Sequence, residues 1–186
     1  MPTPCFLITP TGDARLSLRR YASASICPLG GIHDAEVQIG SAPIVLTERG
    51  YIAALATPHD DPRWPLACAC GYVFQDADPW QTRQKELYQA PDGQQYTTHL
   101  GDAPPGAMWH SPHMADAWTG PDGLCLYVVL PSGEHWGMDC PSTNGEGWTR
   151  TGTPPRITAT PSIAAARYHG FLTDGWLTDD LDGRVY

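Results

Sequence analysis

Apolar, aromatic and β-branched residues in this chain fall in short clusters, each closed within a few positions by glycine, proline, aspartate or serine. Such clusters predict strands over residues 5–8, 14–18, 34–39, 44–46, 72–74, 124–130, 135–138 and 168–172. Two hairpins stand out: residues 124–130 turning through Pro131-Ser132-Gly133-Glu134 into 135–138, and Phe171-Leu172 turning through Thr173-Asp174-Gly175 into Trp176-Leu177. One helix is predicted, because Asp78 can cap it, Pro79 fits its first position, and Gln81 through Leu87 are good helix formers. The expected fold class is mainly β (β-rich α+β): a single compact domain over 1–186 of short antiparallel strands and hairpins with one or two short helices. Within it, a Cys/His knuckle sub-region over 20–75 and a Trp-rich β region over 105–186 are expected.

The 19 glycines and 19 prolines leave little room for long helices, and 186 residues at 41% hydrophobic content are enough to bury one core. No run approaches the roughly 18 apolar residues of a membrane helix, and Met1-Pro2-Thr3-Pro4-Cys5 lacks the charged start of a secretory signal, so a soluble, unexported chain is expected. The formal charge of −9 argues against broad contact with nucleic acid or anionic membrane.

Six cysteines in an unexported chain call for metal ligation or plain burial rather than disulfides. Cys5 and Cys125 sit in apolar runs, where a thiol behaves as a small hydrophobe. The sharper constellation is Cys27-Pro28-Leu29-Gly30-Gly31-Ile32-His33 with Cys68-Ala69-Cys70-Gly71-Tyr72. Thiolates and an imidazole suit tetrahedral zinc, and the glycines let backbone N–H groups turn toward sulfur. A structural zinc on Cys27, His33, Cys68 and Cys70 is one expectation, and buried thiols beside a surface histidine are the other, since C-x-C and C-x5-H are unusual finger spacings. A rival set joins Cys68 and Cys70 to His110 and His113, with Asp116 as a carboxylate that could leave a catalytic position open.

Other chemistry is thinner. Cys140 with His135 or His169, oriented by Asp139 or Asp174, is the one nucleophilic pairing to consider, without a surrounding signature. The acidic run Asp179-Asp180-Leu181-Asp182 reads as a solvated face or a hard-cation site. No P-loop, dinucleotide fingerprint or H-E-x-x-H occurs. Trp109, Trp118, Trp136, Trp148 and Trp176 crowd the second half as core or as an interaction surface, for which Trp136, Trp148 and Trp176 are the candidates.

Three segments, Gly147-Trp148-Thr149-Arg150-Thr151-Gly152-Thr153-Pro154-Pro155, then Thr160-Pro161-Ser162-Ile163, then Tyr168-His169-Gly170-Phe171-Leu172-Thr173-Asp174-Gly175, occur in an order that resembles an uncharacterised family, a domain of unknown function, found in tailed phages and prophages. Members carry a Trp-rich segment, a Pro-Ser-Ile-like strand and a His-containing hairpin ending in Asp-Gly. Residues 27–40 and 68–74 are also similar to longer phage members, whereas the Cys-rich knuckle that shorter relatives place before the Trp segment is reduced here to Cys140-Pro141. The resemblance implies a phage setting. The expected function is a non-enzymatic structural or interaction protein, an accessory virion component stabilised by zinc, in contact with other phage structural proteins and located in the virion or host cytoplasm. The alternatives are an intracellular module that binds a host protein and a small zinc-dependent enzyme.

Overall fold

Leu126 and Val128 contribute to one buried cluster and Tyr127 and Val129 to another, so the four-residue strand that carries them is covered on both faces. That alternation sets the plan of the first of two units. The computed structural model describes residues 1–48, 52–97, 102–111, 118–141 and 147–186. The described strands are β1 (Thr3–Pro4), β2 (Phe6–Leu7), β3 (Thr9–Ile26), β4 (Ile32–Pro43), β5 (Trp80–Gln89), β6 (Gln95–Thr97), β7 (Ala107–His110), β8 (Leu126–Val129), β9 (His135–Gly137), β10 (Thr149–Thr153), β11 (Arg156–Ala164), β12 (His169–Thr173) and β13 (Trp176–Leu177). The β-rich fold is as the sequence predicts; no helix occurs among the described residues, so none there is long and apolar enough to cross a membrane.

The first unit comprises Met1–Thr11 and Tyr88–Tyr186. One sheet has the order β1-β13-β12-β11-β10, antiparallel throughout, and a second the order β2-β7-β8-β9, with β2 parallel to β7. Met108, Leu126, Val128 and Met138 from the second sheet meet Ile157, Ile163, Leu172 and Leu177 from the first in one apolar core. On the other side of β7 and β8, Trp109, Tyr127 and Val129 join Ile8 and Tyr88. Both predicted hairpins are present. Leu130 and Glu134 close the β8–β9 turn at 2.8 Å, and Asp174 (φ 46°) with Gly175 (φ 79°) makes the β12–β13 turn, which demands left-handed backbone at both positions. Pro154-Pro155 is the turn between β10 and β11.

Arg150 of β10 is the buried polar knot of this unit, with a side chain 1% exposed. Its Nε donates to Asp139 at 2.7 Å, Nη1 to Asp122 at 2.9 Å, and Nη2 to the Leu124 carbonyl at 3.1 Å. Asp139 accepts in addition from the Leu126 N–H at 2.8 Å. Each of the three guanidinium nitrogens therefore has an acceptor, the condition under which a buried charge is tolerated.

The second unit is Gly12–Leu87. β3 and β4 form a long antiparallel ladder from Asp13↔Pro43 to Ile26↔Ile32, and β5 lies on the other side of β3. The predicted strands 14–18 and 34–39 fall inside this ladder, which is far longer than expected, while 44–46 and 72–74 are reduced to isolated bridges at Leu46 and Val73. The helix expected after Asp78 is instead β5. Its odd side chains Arg83 and Lys85 reach Glu36 at 3.0 and 3.6 Å, and its even side chains Thr82 and Gln84 bond Thr57 and the Ala53 carbonyl at 2.9 and 2.5 Å. This period-two partnership overrides local helix propensity. Asp78, the supposed cap, accepts from the Gln75 N–H at 2.8 Å and the Tyr72 hydroxyl at 3.2 Å.

Replacing Arg150 with alanine strands two carboxylates, one of them, Asp139, 3% exposed, and is expected to cost about 3–5 kcal/mol in chemical denaturation. Arg150 holds the Asp122 carboxyl below its ordinary pKa. Its share of the stability is therefore complete above the unfolded carboxyl value and lost as pH falls through the lower folded one. A denaturation midpoint unchanged by Arg150→Ala would contradict this account.

Candidate metal centre

Two loops in the second unit close with the same hydrogen-bond pattern. In the β3–β4 connection the Cys27 N–H donates to the Gly31 carbonyl at 3.0 Å and the Gly30 N–H to the Cys27 carbonyl at 2.8 Å. In the other, beyond the Ala67↔Val73 bridge, the Cys68 N–H donates to the Tyr72 carbonyl at 2.9 Å and the Gly71 N–H to the Cys68 carbonyl at 2.9 Å. Gly30, Gly31 and Gly71 take φ of 102°, 69° and 93°, which side-chain-bearing residues rarely adopt. Each loop thereby turns its cysteine inward, and His33, the second residue of β4, follows the first loop directly.

Cys27, His33, Cys68 and Cys70 converge so that one donor atom from each lies within 4.8 Å of all the others. Cys27 Sγ is 3.9 Å from Cys68 Sγ, and His33 Nδ1 is 3.2 Å from Cys70 Sγ. In a tetrahedron with zinc–sulfur bonds of 2.3 Å and zinc–nitrogen bonds near 2.05 Å, the expected separations are about 3.8 and ~3.6 Å. The sulfur pair already fits, and the histidine pair needs to open by a few tenths of an ångström. Cys27, His33 and Cys68 are buried and Cys70 half-buried, so the cluster can hold a metal ion such as zinc.

The electrostatics differ across the set. The Cys70 and Asp34 N–H groups, aided by His33 and against burial, bring the Cys68 thiol down to about 6. At Cys27 the Leu29 N–H pulls the same way, but burial and the adjoining Cys70 and Cys68 thiols more than offset it, and the net shift is upward. One sulfur is therefore prepared as a thiolate while Cys27 beside it resists a second charge, which a divalent cation would relieve.

The surroundings finish the site. Tyr72 stacks on the His33 ring with centroids 4.2 Å apart and planes 15° from parallel. Among the described residues, the apolar cluster against the cysteines has Ala22 and Phe74 as further buried members. The loops turn Ile26, Leu29, Leu66 and Val73 outward to solvent.

The other candidates lie elsewhere. His110 Nδ1 accepts from the Cys125 N–H at 3.1 Å; His113 and Asp116 fall outside the described residues. Burial pushes Cys5 up to about 12 and Cys125 up to about 11, as befits thiols used for packing. Cys140 Sγ faces the Tyr127 hydroxyl at 3.5 Å, His135 lies edge-on to Trp109, and His169 contacts Asp182 at 3.2 Å. Asp139 belongs to the Arg150 cluster and Asp174 pairs with Arg156. The acidic run is satisfied within the chain: Asp179 by the Met1 amino group at 2.5 Å, Asp180 by the His169 N–H at 2.9 Å and Tyr186 hydroxyl at 2.8 Å, and Asp182 by Arg184 at 2.7 Å. Of the tryptophans proposed for interaction, Trp136 is buried and Trp148 packs edge-on against it, leaving Trp176 as the exposed ring of the three. Ser25 and Tyr72, which touch His33, carried no signal in the sequence because their roles depend on where β3 and the second loop cross.

No protein-family model, curated protein or solved structure matches the chain.

Zinc is expected to protect Cys27, Cys68 and Cys70 from alkylation in chelator-treated protein while leaving Cys140 unprotected. Mass-resolved alkylation checks this, and equal labelling of all four with and without zinc would contradict the ligand set.

Proposed function

We propose that the protein is a non-enzymatic structural or interaction protein whose second unit is stabilised by a zinc ion on Cys27, His33, Cys68 and Cys70. The observation that carries this reading is the meeting of three sulfurs and one imidazole nitrogen within 4.8 Å. Four protein donors satisfy zinc's tetrahedral preference and leave no position for a catalytic water, so the centre contributes folding energy rather than chemistry. The ordering of the Trp-rich, Pro-Ser-Ile and His-hairpin segments supports a phage or prophage setting, with an accessory place in the particle. Exposed Phe171 and Trp176 around the β12–β13 turn favour a second reading, a module that docks on a host protein through this hairpin.

Tag-free protein is expected to carry close to one zinc per chain by elemental analysis. Alanine at Cys27, His33, Cys68 or Cys70 should abolish stoichiometric zinc and Cys140→Ala should not. Chelation should lower the melting temperature of the wild type. Protein without metal, and indifferent to chelator, sinks the zinc reading. Mass spectrometry of density-purified particles separates the settings: a defined copy number supports the virion role, and absence from clean particles overturns it in favour of the host-binding module.

A further inference from the structure

An imidazole that binds a metal through one nitrogen must carry its proton on the other, and whatever accepts that proton fixes which nitrogen is which. In His33, Nδ1 points into the cluster, 3.2 Å from Cys70 Sγ, and Nε2 points away, 3.0 Å from Ser25 Oγ. The position of Ser25 comes from an irregularity in the β3–β4 ladder. Ala22 pairs with His33, but the next pair is Ile26↔Ile32, so β3 advances four residues (22 to 26) while β4 moves one (33 to 32). The three extra residues, Ser23, Ala24 and Ser25, form a bulge that brings the Ser25 hydroxyl over the outer edge of the His33 ring.

The face of the same ring is covered by Tyr72, stacked at 4.2 Å, whose own hydroxyl donates to Asp78 at 3.2 Å. Tyr72 sets the ring plane. It does not by itself decide a half-turn of the imidazole about its Cβ–Cγ bond, which keeps the ring in the same plane. Ser25 decides it, since only one of the two orientations offers Nε2–H to the hydroxyl and Nδ1 to the three sulfurs.

We propose that Ser25 is a positioning residue of the metal centre, which commits His33 to metal binding through Nδ1 by accepting the hydrogen bond from Nε2–H. This rests on the zinc reading above and adds the ligating atom and the group that selects it.

The test loads the full chain, with histidine labelled in 15N, with zinc, and reads ligation from long-range 1H–15N correlations. Wild type is expected to show one His33 state, metal on Nδ1 and proton on Nε2. Ser25→Ala is expected to weaken zinc binding in a chelator competition by about 10- to 100-fold. It should also add a second His33 state or exchange-broaden the first, while leaving the denaturation midpoint of the metal-free protein unchanged. Ser25→Thr, which keeps the hydroxyl, should restore both affinity and the single state. Ligation through Nε2 in wild type, or a Ser25→Ala variant with wild-type affinity and spectrum, overturns the inference while leaving the zinc reading intact. A metal-free protein that loses stability equally in Ser25→Ala also overturns it, by showing a structural role alone. Failure of wild type to bind zinc overturns both.

Discussion

Three sulfurs and an imidazole nitrogen held within a few ångströms are the constraint around which the loops of the second unit are arranged. Among the described residues the apolar cluster beside them is small, with Cys27, Cys68, Ala22 and Phe74 buried and Ala35, Cys70 and Tyr72 partly buried against them. A metal ion on these four donors would add to that burial, acting on the backbone through the cysteines themselves. The loops turn their cysteines toward the cluster and leave Ile26, Leu29, Leu66 and Val73 facing solvent.

The first unit is organised by a different force. Its two cores use alternate residues of the same strands, with Met108, Leu126 and Val128 on one side and Trp109, Tyr127 and Val129 on the other. Arg150 adds direction to this non-directional packing. Its fork joins Asp122, Asp139 and a main-chain carbonyl, and Gly120 leaves it room: a Cβ at that position would collide with the guanidinium.

What was legible in the sequence were features decided by a few adjacent residues. The turn at Pro131-Ser132-Gly133-Glu134 and the left-handed pair Asp174-Gly175 announced their hairpins, and the ligand types of Cys27, His33, Cys68 and Cys70 pointed, despite irregular spacing, to a cluster that converges and could hold a metal. Features decided by distant partners were not. Residues 80–87 read as a helix because the contacts that make them a strand come from Glu36, Ala53 and Thr57. β3 read as a short strand because polar residues continue it. Arg20 is nevertheless buried, its guanidinium 3.7 Å from the Trp80 ring centroid and bonded to the Gln75 carbonyl.

The two-sided burial of β8 bears on how this chain can change length. Adding or removing one residue within that strand would exchange its two sides, delivering Tyr127 to the space shaped for Leu126 and Val128 and aliphatic carbons to the face where Trp109 stacks on Tyr127. A strand with one wet face can absorb such a slip by turning polar groups outward, but β8 has no outward side. Length variation in this region is therefore confined to the connections, and β8 acts as a ruler against which the neighbouring strands keep their count.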